Sequence, residues 1–424
     1  MSDSVKPTVL VCTVGGSHAP ILSAIGSYKP NFVWFICTEG KAGSLQQVRG
    51  RGNCIKKSPR DEAPSLPNIP TQASLREDEF DVVLVPPDDP DSIHQHLRKL
   101  IDRILVEPLR PRVIADYTGG TKSMTAALLL AGLEYEDDVE LSMVVGQRAD
   151  LIHVTDGTEI PFVANVERIR FSHKFRVALS PWKHFGYAES AVALETMRQP
   201  RHSRDRKQYL DALAASRGFA AWDGFDHATA RQLLQPLGHI FGQYLATLAS
   251  LNRGDEAQPP ARLADLYRNL ERRAERRQYD DAVARAYRLL EWTAQWLLDR
   301  DANVDTSNVS PDCIPNNLSL PRNDKGQYFA GLRNAWILLE THGKTDAVRL
   351  FARDCAKESL SLLTTRNHSI LAHGFQPITQ AEWNQWQVWL NETFFPFLET
   401  EVRASGLKLL PQQLPTEFSV ESNE

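Results

Sequence analysis

The chain has 424 residues, of which 42% are apolar and 24% charged, and a formal net charge of −5. That length predicts two or three domains of ordinary globular composition. The acidic balance excludes a general attraction to nucleic acid, so any such contact needs a local patch. No run reaches the ~18 apolar residues of a membrane span. The opening "MSDSVKPTVLVCTV" leads into a strand without a signal-peptide layout. Cys12, Cys37, Cys54, Cys313 and Cys355 are scattered and form no CxxC pair. This predicts reduced thiols and a cytoplasmic location. No Cys/His cluster has zinc-ligand spacing, so no metal is expected.

In chain order, "TVLVCTV" (8–14), "NFVWFIC" (31–37), "FDVVLV" (80–85), "RVIADY" (112–117) and "ELSMVVG" (140–146) are short, almost continuously apolar runs. Helix-compatible segments separate them, notably 91–106 and 121–134. This alternation predicts a parallel sheet covered on both faces. Residues 56–79 are polar and proline-rich and are read as a long surface loop; 151–157 and 166–172 are read as a hairpin or edge strands. Beyond about residue 175 helical periodicity takes over. In 279–300, Val283, Ala286, Tyr287, Leu290, Ala294 and Leu297 share one face. Segments 230–251, 262–277, 328–341, 346–364 and 380–400 are also helical, and 301–327 is a polar loop. The expected fold class is α/β plus all-α: a doubly wound, Rossmann-like domain over 1–175, then a helical region over 176–424.

Two glycine turns follow strands in the first half: "TVGGSHAP" after the first and "DYTGGTKS" after the fourth. In a doubly wound sheet, ligands sit beyond the carboxyl ends of strands. Gly119 and Gly120 allow close backbone approach, Thr118, Thr121 and Ser123 offer hydroxyls, and Lys122 offers a point charge at a helix start. The pattern is not a Walker A loop, because Thr121 precedes Lys122 and residue 116 is Asp, and it is not GxGxxG. A phosphate or nucleotide edge remains the chemistry that fits. The plain alternative is a tight strand–helix turn with a capping threonine and a solvated lysine.

In "LLTTRNHSILAHGFQP" (362–377), Arg366 and His373 are seven residues apart, nearly two turns of a helix. Both would then lie on one face, with Asn367 beside Arg366, and Leu362, Leu363, Ile370 and Leu371 toward the core. Gly374 and Pro377 read as the helix stop, leaving His373 in the last turn. His368 falls on another face and is read as structural. A bidentate arginine beside an imidazole suits metal-free RNA cleavage. The alternative is a buried structural Arg/His pair. The basic run 198–207 is read as a solvated loop or an RNA guide. Trp292, Trp296 and "WNQWQVW" (383–389) are read as packing faces.

Together the two motifs resemble those of the CRISPR-associated CARF–HEPN ribonucleases of type III systems. "DYTGGTKSM" and "TVGGSHAP" resemble the ligand loops of a CARF sensor domain. "RNHSILAHG" resembles the HEPN signature, with six residues between Arg366 and His373. The resemblance spans both halves in the family's domain order. It implies a homodimer that binds cyclic oligoadenylate, made by the type III effector complex, across its two-fold axis. It also implies a composite site that cleaves single-stranded RNA. Ligand contacts are implied at Gly15, Gly16, Ser17, Thr118, Gly119, Gly120, Thr121 and Lys122. Catalysis is implied at Arg366 and His373, with Asn367 supporting. No resident cofactor is expected; the activator is cyclic tetra-adenylate in preference to cyclic hexa-adenylate. Two alternatives stand: a CARF sensor whose helical module acts through partners without nuclease activity, and a DNA-binding regulator, disfavoured by the lack of a basic recognition helix. Slow cleavage of the ring by the CARF domain itself is a further option.

Overall fold

The computed structural model describes residues 6–38, 40, 43–56, 65–135, 138–146, 158–256, 258–371, 374–406 and 411–419. Side chains in part of 356–365 are outside the description. The chain divides into two compact units, Met1–His173 and Lys174–Glu424. No helix among the described residues is long and apolar enough to cross a membrane.

The first unit is built on β1 (Thr8–Thr13), β2 (Phe32–Thr38), β3 (Asn53–Ile55), β4 (Leu66–Pro67), β5 (Phe80–Val85), β6 (Arg112–Asp116), β7 (Val139–Val145) and β8 (Ile160–Val163). Six strands form one sheet in the order β5-β2-β1-β6-β7-β8. β5, β2, β1, β6 and β7 pair in parallel; β8 runs antiparallel on β7. Alternate residues of the apolar runs go to opposite faces. Val9, Val11, Val113 and Ala115 pack with the helices Pro90–Leu105 and Lys122–Glu134. Leu10, Cys12, Phe35 and Ile114 pack with Ile21, Ala24 and Ile25 of the Ala19–Tyr28 helix. Burial on both faces explains why these strands are apolar throughout rather than alternating.

Two expectations need correction. Residues 166–172 are not strand but the start of the Glu167–Leu179 helix. Its buried Phe175 and Ala178 recur at helical spacing, while Ile169, which suggested alternation, is exposed. Residues 56–79 are not one long loop. Within them β4 pairs with β3, and Asn68 caps a short helix, Ile69–Gln72, whose Ile69 is fully buried. Residues 57–64 and 151–157 lie outside the described residues.

The second unit is helical. It includes Ser203–Asp223, Gln258–Glu275, Tyr279–Ala302, Leu332–His342, Asp346–His368 and Gln380–Trp389. One core contains the buried tryptophans Trp182, Trp222, Trp336 and Trp386. Trp296 and Trp383 are buried as well, as packing residues. Of the basic run 198–207, the end is the first turn of the Ser203–Asp223 helix, where Lys207 pairs with Asp211 at 2.6 Å.

Candidate functional site

The first candidate site lies at the carboxyl ends of β1 and β6, adjacent parallel strands with Cys12 opposite Asp116. From β1 the chain winds to β2 and β5 on one side, then crosses to β6 and β7 on the other. The gap between β1 and β6 is therefore the topological switch point, where open α/β sheets leave a crevice for ligands. Both glycine turns open there.

The two turns are in backbone contact. A Cβ on Gly15 would lie 2.4 Å from the Gly120 nitrogen, and one on Gly119 would lie 2.4 Å from the Thr13 oxygen. Gly120 has φ +88°, which a side chain disfavours. The Thr13 hydroxyl donates to the Gly119 carbonyl at 2.6 Å, and the Thr125 hydroxyl to the same oxygen at 3.0 Å. The Gln47 side-chain amide donates to the Gly15 carbonyl.

Beneath them is a carboxylate that the sequence reading used only to reject a P-loop. Asp116 is 2% exposed. It accepts from the Thr118 amide at 3.1 Å and the Ser142 hydroxyl at 2.8 Å, and Tyr28 reaches the same Ser142 oxygen at 2.9 Å. Burial pushes its carboxyl above the ordinary range, while the hydrogen bonds from Thr118 and Ser142 pull the other way. An Asp ending an apolar strand run was the available signal.

These bonds divide the eight expected ligand residues. Thr118 Oγ1 accepts from the Val144 amide at 2.7 Å. Thr121 caps the Lys122–Glu134 helix by accepting from the Met124 amide, and donates to the Pro87 carbonyl at 2.6 Å. Both hydroxyls therefore hold the loop. Gly16, Ser17 and Lys122 are exposed, and open space surrounds the Cβ position of Gly16. What this edge offers is backbone, one hydroxyl and one ammonium beside a helix N-terminus with no acidic residue in its first turn, suited to an anion. A cavity of about 480 Å³ lies at the opposite, amino-terminal end of the strands, against Thr8, Arg112 and Glu140, away from both turns.

The second candidate site is at the end of the Asp346–His368 helix. Arg366 lies in its last turn. Its guanidinium carbon is 4.4 Å from the centroid of the Tyr287 ring, and Nη1 donates to Asn367 Oδ1 at 3.3 Å. The helix stops at His368, and Ser369 adopts extended backbone, φ −76° and ψ 156°. The expectation that Arg366 and His373 share one helix face fails for that reason: the helix ends before residue 373. Ile370 and Leu371, expected toward the core, are 59% and 53% exposed. His373 itself lies outside the described residues, as do the side chains of Leu362 and Leu363.

Past the helix the chain returns to it. The Gln376 amide donates to the His368 carbonyl and the Gly374 amide to the Ser369 carbonyl. A Cβ on Gly374 would lie 1.8 Å from the His368 oxygen. Glycine at 374 is thus a requirement of this return, not the helix stop it was read as. His368 is exposed, and its carbonyl anchors the return. Tyr287, read from the sequence as one more core position, sits half-buried under Arg366.

Residues 253–393 match the family model described as the Csm6 HEPN domain. Over that segment the helical unit is similar to a Csm6-type HEPN domain. Among solved structures, Enterococcus italicus Csm6 bound to cyclic hexa-2′-fluoro-hexa-dAMP matches with a TM-score of 0.54 and 13% identity over 94% of each chain. At that identity the match speaks for the fold, and it does so along both halves. The chain therefore shares the fold of that protein along its length, a parallel-sheet unit followed by a helical unit. Can2 from Sulfobacillus thermosulfidooxidans, in complex with cyclic tetra-adenylate, matches 55% of this chain and 69% of its own at 14% identity, with a TM-score of only 0.24. No curated protein matches.

Proposed function

We propose that this protein is an endoribonuclease of type III CRISPR antiviral defence, switched on by cyclic oligoadenylate. It acts in the cytoplasm, as a homodimer, on single-stranded RNA and without a metal ion. The observation that supports this best is Arg366. Its guanidinium rests on an aromatic face at a helix end, inside the segment that matches the Csm6 HEPN model. No acidic side chain pairs with it among the described residues. A phosphodiester is the anion such a planar donor grips with two parallel hydrogen bonds.

In this reading Arg366 holds the scissile phosphate and offsets its developing charge, Asn367 steadies the guanidinium, and His373 moves a proton. The 2′-oxygen of the RNA bonds to the adjacent phosphorus as the bond to the 5′-oxygen breaks. The proton leaving the 2′-hydroxyl and the one reaching the 5′-oxygen pass through general acid–base groups. The products carry 2′,3′-cyclic phosphate and 5′-hydroxyl ends.

Gly15, Gly16, Ser17, Thr118, Gly119, Gly120, Thr121 and Lys122 form the ring site, with Thr118 and Thr121 shaping the loop and Ser17 and Lys122 reaching the ligand. A ring of even symmetry fits a two-fold axis on which each subunit presents the same loops. It activates only by binding the active arrangement more tightly than the resting one. Cyclic tetra-adenylate is the ring we favour; the Enterococcus italicus protein holds a six-membered analogue, so both are to be assayed. The test is Arg366→Ala and His373→Ala, each expected to abolish cleavage and leave ring binding intact. Full activity of Arg366→Ala would remove the catalytic assignment.

A further inference from the structure

We infer that Tyr287 is a positioning residue of the RNA-cleaving centre, the platform that aims the Arg366 guanidinium at the scissile phosphate. This rests on the ribonuclease reading above. Tyr287 and Arg366 come from different helices, Tyr279–Ala302 and Asp346–His368, so their contact fixes an angle that neither helix sets alone. The guanidinium carbon stands 4.4 Å from the ring centroid. Among the described residues no carboxylate holds Arg366, and its one hydrogen bond, to Asn367, is 3.3 Å long. An arginine held by a carboxylate spends its N–H edge on that partner. An arginine held by a ring face spends only its flat side, and the edge stays free for two parallel bonds to phosphate.

The platform is itself well fixed. Val283, Ala286 and Leu290, neighbours of Tyr287 along the same helix, are fully buried. The nearby charges are engaged with each other: Glu291 pairs with Arg288 at 2.8 Å. Burial raises the Tyr287 phenol above its ordinary range, so the ring under the cation stays neutral. Arg366 lies in the last turn of its helix, and the residue after next is the helix end. Without the ring, a four-bond side chain at such a position would sample many rotamers and lose the pre-organisation that phosphate capture needs.

The experiment compares Tyr287→Phe, which keeps the ring, with Tyr287→Leu and Tyr287→Met, which keep apolar bulk and lose it. Ring-stimulated cleavage under single-turnover conditions, thermal midpoint and cyclic-oligoadenylate binding are measured on the full chain. Binding of an RNA made uncleavable by 2′-deoxy substitution is measured for Tyr287→Leu alone, Arg366→Ala alone and the pair. Tyr287→Phe is expected to cleave within about 3-fold of wild type. The Leu and Met variants are expected to fall by roughly 5- to 30-fold at unchanged ring binding. In the Arg366→Ala background, Tyr287→Leu should cost no further RNA affinity. Wild-type cleavage by both ring-less variants, or an equal loss of RNA affinity with and without Arg366, would overturn the positioning role. An inactive wild-type protein would overturn the ribonuclease reading, and this proposal with it.

Discussion

Gly119 lies against the Thr13 carbonyl so closely that a Cβ on it would sit 2.4 Å from that oxygen. This contact, with its counterpart between Gly15 and Gly120, brings the two glycine turns together at the switch point of the sheet. The two turns pack directly on each other, so the geometry of either depends on the other. The structure itself requires glycine at these positions for packing between the turns.

Gly119→Ala or Gly15→Ala should push the loops apart. A clash against backbone has no flexible neighbour to absorb it, so cyclic-oligoadenylate affinity should fall by roughly 10- to 100-fold. Gly26→Ala is the control: a Cβ there meets nothing within 4 Å, and the helix around it should gain stability. Calorimetric titration of the three proteins with the ring decides it.

Lys122→Ala should leave the thermal midpoint unchanged, because the side chain is exposed at the first position of its helix. Loss of a charge-assisted contact should weaken ring binding by roughly 10- to 100-fold and raise the ring concentration needed for activation in step. Unchanged binding would remove Lys122 from the site.

Asp116 supplies a pH test with a definite sign. Burial raises its folded-state pKa, so the folded protein holds this proton more tightly than the unfolded chain. The stability it contributes is complete below the unfolded value and is lost as pH rises through the folded one. Asp116→Asn has no such proton. The difference in thermal midpoint, variant minus wild type, should therefore increase as pH rises above the ordinary carboxylate range. A difference that shrinks as pH rises would contradict the raised pKa.

Gly374→Ala should disrupt the return of the chain onto His368, where a Cβ would lie 1.8 Å from the carbonyl oxygen. The expected result is loss of RNA cleavage with ring affinity retained. Retained cleavage would mean that the return loop is not needed by the catalytic site.

The parts of this architecture that were legible in the sequence are those where local pattern and burial agree. Val9 to Cys12 and Val113 to Ala115 are buried on both faces, so their apolar runs could be little other than parallel strands. Where pattern and context part, the reading failed. Ile169 and Phe171 alternate as in a strand but sit on a helix anchored by Phe175 and Ala178. The seven-residue spacing of Arg366 and His373 suggested one helix face, yet Gly374 is there to meet His368, and the helix has already ended. Asp116 was read only as a mismatch to a P-loop and Tyr287 only as a core position, because their partners, Ser142 and Arg366, are distant in the chain and no local pattern reveals them.

Sensing and cleavage are read together with a fluorophore–quencher RNA in EDTA, adding cyclic tetra-adenylate or cyclic hexa-adenylate separately. Cleavage should be stimulated by one of the rings and lost in His373→Ala. Measurable ring binding with no cleavage by either ring would contradict the ribonuclease reading, leaving a nucleotide sensor whose helical unit works through partners rather than on RNA.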